Sequence, residues 1–160
     1  AFSIICNRLH NVKLLIVGEG RERRRLEEKY RNLGLNDKVL FVKPIPHTTV
    51  PDFLAGSNVA VLPSYSEGHP KFLIEAMVMG KPIAATNIRG INDAVRHGKE
   101  AVLVKPGDAS ALAEALKLLL ENEKLARTLG RNARKKALKE YSKKVVFKMA
   151  ETNPFLILGF

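Results

Sequence analysis

Short apolar runs alternate along the chain with longer stretches whose apolar residues recur at helical spacing. Lys13–Val17, Val39–Val42, Asn58–Leu62, Pro82–Thr86 and Ala101–Val104 read as five strands. Between the first two, Arg21–Leu33 sets Leu26, Tyr30 and Leu33 on one helical face and stops at Gly34. Val50–Ala55 predicts a short helix closed by Gly56. Pro70–Met79 predicts another, with proline in its first turn and Gly80 just past its end. Ile91–Arg96 is a third short helix before the His97-Gly98 turn. After Pro106-Gly107, Asp108 or Ser110 can cap a helix that carries Leu112, Leu116 and Leu120 on one face. Glu121 to about Ala150 continues as a basic helix, and Asn153–Phe160 is an apolar tail. Strands alternating with helices predict the α/β class: a Rossmann-like parallel sheet with helices on both faces. Ligands of such sheets bind beyond the C-terminal ends of the strands, so the informative residues are those that directly follow a strand.

Composition adds bounds. The 160 residues make one domain, with a core over about 12–150 and a tail at 151–160. Hydrophobic residues are 46% of the chain, enough for a sizeable core. No apolar run approaches the roughly 18–20 residues that cross a bilayer. The N-terminus has no basic stretch ahead of an apolar one, so no secretory signal is predicted. The absence of an initial Met leads us to expect part of a longer protein. Cys6 is the one cysteine, which excludes an internal disulfide, disfavours a cysteine metal site and fits a reducing, cytoplasmic setting.

The formal net charge is +11, and it is unevenly spread. Residues 121–148 hold ten Lys and Arg against three Glu, a local excess of +7. This field favours anionic partners, and a solvated helix face explains it equally well.

The segment with most chemistry is Pro63-Ser64-Tyr65-Ser66-Glu67-Gly68-His69-Pro70-Lys71-Phe72 and the helix beyond it. A strand ends, a small polar loop follows, and a helix begins. Free N–H groups at a helix start, together with the positive end of its dipole, suit a phosphate. Gly68 permits close backbone approach, and Lys71 adds charge. Glu67 in the loop and Glu75 in the helix could accept hydrogen bonds from sugar hydroxyls on either side of a bound diphosphate. From these residues alone, a helix-start acid at Glu67 and a surface acid at Glu75 account for the pattern as well.

Seven residues separate Glu67 from Glu75. Around them stand Asn58-Val-Ala-Val-Leu-Pro-Ser, Glu-Gly-His-Pro, Glu-Ala-Met, Gly-Lys-Pro, Ala-Thr-Asn-Ile-Arg-Gly and Leu-Val-Lys-Pro-Gly-Asp. From about Val12 to Ala150 the chain resembles the C-terminal, donor-nucleotide-binding domain of the group-one retaining glycosyltransferases of GT-B fold. The resemblance implies transfer of a hexose-type sugar from a nucleotide diphosphate sugar to a glycan or lipid-linked acceptor. It implies that Glu75 binds the ribose hydroxyls and that Glu67, the catalytic candidate, contacts the donor sugar. Amides and side chains of Gly68, His69, Pro70, Lys71 and Phe72 would hold the diphosphate and sugar. Lys43 and Ile45, in the loop after the second strand, would line the base pocket, and Arg21 would face the diphosphate. No metal or other cofactor is implied, in keeping with the lack of an Asp-x-Asp motif.

Two departures from the family pattern bear on activity. Its opening strand, ending in Gly-Arg and followed by Lys-Gly, has no counterpart: residues 1–10 look like the helix after that loop. Absence of a central strand should leave a gap or make its neighbours pair. The acceptor-binding N-terminal domain, the chain's expected partner, also has no counterpart, so the sequence carries no complete catalytic set.

Other motifs are weaker. Gly18-Glu19-Gly20 starts like a dinucleotide fingerprint, but neither Arg23 nor Arg24 supplies the third glycine and the motif fails. His10, His47, His69 and His97 are scattered and suggest no metal site; His69 lies in the loop, within reach of a donor sugar. Asn87–Gly90 follows a strand on the ligand side, and Tyr65 could cover a cleft there or merely pack. The competing functional class is a basic module that binds an anionic membrane surface or nucleic acid without catalysis. No nucleic-acid motif or aromatic platform accompanies the basic stretch, which argues against nucleic acid.

Overall fold

The computed structural model describes residues 1–68 and 70–141. Five strands, all in parallel ladders, form two sheets. β1 (Leu14–Val17) pairs with β2 (Val39–Val42), Leu14 opposite Val39 and Val17 opposite Val42. β3 (Ala60–Leu62), β4 (Ile83–Thr86) and β5 (Val102–Val104) form the second sheet with β4 in the middle. Among the described residues no ladder joins the sheets. Of the two outcomes expected without a central strand, the structure shows the gap.

Packing holds the sheets together instead. Residues alternate across a strand, so successive side chains serve opposite layers. One layer joins Leu14, Ile16 and Val39 of the first sheet to Val61, Ala84 and Val102 of the second. It is covered by α1 (Phe2–Cys6), α2 (Arg23–Asn32) and α6 (Ala109–Glu121), through Phe2, Ile5, Tyr30, Leu112 and Leu116. The opposite layer sets Ala60, Ile83, Ala85 and Leu103 against Leu54 of α3 (Val50–Gly56), against Leu73 and Met77 of α4 (Lys71–Val78), and against Ile91 of α5 (Ile91–Ala94). α7 (Glu123–Glu140) starts on the first layer with Leu129 and crosses to the second with Ala133 and Ala137. The second layer does not extend over the first sheet: Leu15, Val17 and Leu40 are 40%, 39% and 62% exposed.

Helix ends follow local chemistry. Gly80, at φ +66, closes α4: its N–H donates to the Met77 carbonyl, and that of Lys81 to Ala76. Asp108, not Ser110, caps α6 by accepting from the Ala111 N–H at 2.8 Å. Asn122 ends α6 and caps α7 through the Leu125 N–H at 3.0 Å.

Several sequence expectations are corrected. Leu33 and Leu120 are partly exposed, at 48% and 37%, while Leu35 and Leu119 are buried in their place. The chain turns after Asn32, and α6 presents Leu112, Ala115, Leu116 and Leu119 to the core, rotating Leu120 outward. The basic helix does not run on to about residue 150: Tyr141 adopts extended backbone and ends it at Glu140. The expected apolar tail, 151–160, lies outside the described residues. No helix among them is long and apolar enough to cross a membrane.

Candidate functional site

β3, β4 and β5 are parallel, so the loops that follow them emerge at one end of the sheet. Those loops meet. The Cα of Gly90, after β4, lies so close to the Glu67 backbone that a Cβ there would sit 2.3 Å from the Glu67 carbonyl oxygen. Gly90 has φ +87, which a side chain rarely tolerates, so its residue type is required twice over. Gly107, after β5, lies beneath the Tyr65 ring. A cleft of about 420 Å³ opens here, lined by Tyr65, Ser66, Glu67, Gly68, Ile88, Arg89, Gly90 and Asp93. The Asn87–Gly90 loop thus borders the cleft, and Tyr65, 77% exposed, lines its wall.

Glu67 is half-buried and held by its own loop, with the Ser64 hydroxyl donating to its Oε1 at 2.6 Å. The buried Thr86 hydroxyl at the end of β4 donates to the Ser64 carbonyl and ties this loop to the sheet. Asp93 accepts from the Gly90 N–H at 3.1 Å and fixes the opposite wall.

Next to the cleft α4 begins. Pro70 precedes its first residue and, among the described residues, no side chain caps it and no acid lies in its first turn. Its first N–H groups are therefore free to meet an anion, unlike those of α6 and α7, which Asp108 and Asn122 cap. Lys71 and Phe72 are exposed on that first turn, and Pro70 is buried beneath it. The position of His69 lies outside the described residues.

Glu75 is buried one turn further along, at 6% exposure, among the apolar residues of α4. Burial raises its pKa above the ordinary carboxylate value; the nearby His47 and Lys71 pull it back down. The nearest ionisable contact is His47 Nδ1, 3.4 Å from Glu75 Oε1. His47 opens the 3-10 turn His47–Thr49 after β2, in the loop that also carries exposed Lys43 and half-buried Ile45. No local motif around His47 signals this role, because the contact joins separate elements.

Arg21 is exposed on the turn between β1 and α2, without an ion pair or hydrogen bond among the described residues. Arg23 instead secures that turn. It donates to the Gly18 carbonyl at 3.1 Å and to Glu27 at 2.8 Å, and its guanidinium lies 5.7 Å from the Phe41 ring centre. His97 is structural: its Nδ1 accepts from the Leu103 N–H at 3.0 Å. Among the described residues no three His, Cys, Asp or Glu side chains converge as metal ligands would.

A family model described as "Glycosyl transferases group 1" matches residues 1–136. The capsular polysaccharide biosynthesis glycosyltransferase CapM of Staphylococcus aureus is 33% identical over 160 residues, 98% of this chain and 41% of that protein. Among solved structures, the sucrose-phosphate synthase of Thermosynechococcus elongatus superposes with a TM-score of 0.82 at 31% identity, covering 98% of this chain and 41% of its own. The Anabaena protein HepE, solved in complex with UDP, gives 0.77 at 26% identity, covering 88% and 40%. The chain thus spans about two-fifths of the length of these relatives.

Proposed function

The chain belongs to the group 1 glycosyltransferases and has a GT-B type α/β fold, and from that premise we propose that it is the donor-binding half of a retaining hexosyltransferase. The observation that carries this reading is the uncapped start of α4 between the Glu67 cleft and buried Glu75. A nucleoside diphosphate sugar has three parts in that order: a sugar, a doubly charged link and a ribose with its base. Glu67 and the Gly68 backbone receive the sugar in the cleft. The free amides of α4, with Lys71 and Arg21, take up the charge that builds on the diphosphate as the glycosidic bond breaks, by field and hydrogen bonds rather than through a metal. Glu75 accepts from the ribose, and Lys43 and Ile45 border the base. Because ribose hydroxyls donate and a carboxylate only accepts, an acid behind a phosphate site fits a ribose better than a second anion.

In this reading a separate domain facing the cleft brings a glycan or lipid-linked acceptor, in the cytoplasm. Exposed Lys124, Arg127, Arg131 and Lys135 on α7 support a further contact with an anionic membrane surface. If that contact were the whole function, salt-sensitive binding to acidic vesicles would occur without nucleotide binding.

Ligand-detected NMR with UDP, GDP and ADP, then with their sugar conjugates, tests the donor reading. One nucleotide should bind saturably, and Glu75→Ala should weaken it by about 1–3 kcal/mol through loss of a charge-assisted hydrogen bond. Unchanged affinity in that variant removes Glu75 from the ribose.

A further inference from the structure

The contact between His47 and Glu75 joins two elements that no local pattern links. His47 is held in place by a proline-led turn: the backbone and hydroxyl of Thr49 both donate to the Pro46 carbonyl, at 3.0 and 2.8 Å. Its imidazole is 77% exposed, while the carboxylate it touches belongs to a side chain only 8% exposed. The ring therefore stands between solvent and a buried acid, with Nδ1 on Oε1.

A carboxylate with two free oxygens can turn about its last torsion, and a buried one that must read a hydroxyl gains from having that torsion set beforehand. An imidazole N–H can set it in the neutral or the charged state, since either form can donate from Nδ1. At 3.4 Å the contact is loose, as such contacts commonly are before a ligand closes them.

We infer that His47 is a positioning residue for ribose recognition, holding Oε1 of Glu75 so that its other oxygen faces the ribose hydroxyls of the donor nucleotide. This rests on the ribose role proposed for Glu75. It makes the loop after β2 serve the nucleotide twice, at the base through Lys43 and Ile45 and at the ribose through His47.

The test compares each of UDP, GDP and ADP with its 2′,3′-dideoxy form by calorimetry, on the intact wild-type protein, His47→Ala and His47→Asn. In the wild type one ribonucleotide should bind more tightly than its dideoxy form. His47→Ala should cut that preference by about three- to tenfold, the worth of one typical hydrogen bond, and leave dideoxy affinity unchanged. That unchanged affinity also shows that the variant is folded. His47→Asn, which keeps a short N–H donor, should restore most of the preference. A preference fully kept in His47→Ala overturns the inference while leaving Glu75 on the ribose. Equal loss in both variants overturns the hydrogen-bond role. A wild type with no preference for any ribonucleotide overturns the ribose assignment and the inference together.

Discussion

Glu75 and Gly90 are both costly residues for a folded chain, and both belong to the candidate site. Glu75 holds a carboxylate among apolar side chains, and its pKa is raised mainly by that burial. A carboxyl that binds its proton more tightly when folded stabilises the fold relative to its ionised form at low pH. That advantage is lost as pH rises from the unfolded pKa through the higher folded one. Glu75→Gln should therefore match the wild type in stability below the carboxylate range and exceed it increasingly as pH climbs above, which urea unfolding at a series of pH values would show. The same variant should bind nucleotide more weakly, the usual opposition between stability and function at a site. Gly90→Ala puts a methyl against the Glu67 carbonyl and forces a strained φ. The Glu67 loop must move, and in the intact enzyme kcat/KM for the nucleotide-sugar should fall by about 10²-fold. Affinity for the free nucleotide should change less, because the atoms a Gly90 methyl would meet belong to Glu67 and not to Glu75.

At the scale of elements, the tightest junction is between α4 and α7. A Cβ on Gly130 would lie 2.1 Å from the Gly80 carbonyl, so the two backbones meet with no side chain between them. α4 carries Glu75 and the open helix start, so α7 is part of the support for the site even though its outer face is basic and solvated. Gly130→Ala should favour the isolated helix by a few tenths of a kcal/mol to about 1 kcal/mol, yet destabilise the protein by about 1–3 kcal/mol through overpacking. Thermal unfolding would read the difference. The helix-end glycines and a cap at Asp108 or Ser110 were legible in the sequence, because capping is decided within a turn or so of chain; the break at Asn122, which ends α6 and caps α7, was not. The Gly130–Gly80 approach was not, because a mid-helix glycine gives no sign of what packs on it.

For the whole molecule, the division into two sheets predicts unequal stability. β4 is buried along its whole length and paired on both sides. β1 and β2 have one ladder between them, with Leu15, Val17 and Leu40 turned to solvent. Amide hydrogen exchange should therefore be slowest in β4 and faster in β1 and β2, by sub-global opening of that ladder. Equal protection in the two sheets would mean that the shared apolar layer alone sets the opening energy. His47 follows β2, so in the proposed site the loop assigned to the base hangs from the less secured sheet, while Glu67 and Glu75 are held on the more secured one.

The sequence by itself determined the strand and helix alternation, the parallel class, the loop after β3 as the candidate site and the spacing of Glu67 and Glu75. Each of these is written over a few neighbouring residues, in periodicity, caps and turn formers. The tertiary structure alone decided that Gly90 presses on Glu67, that Arg23 rather than Arg21 secures the first turn, and that His47 reaches Glu75. It also decided which leucines of the helices face inward: Leu35 and Leu119, not Leu33 and Leu120. Those outcomes depend on where a helix rotates and where a loop lands, which packing settles between residues far apart in the chain and no local pattern encodes.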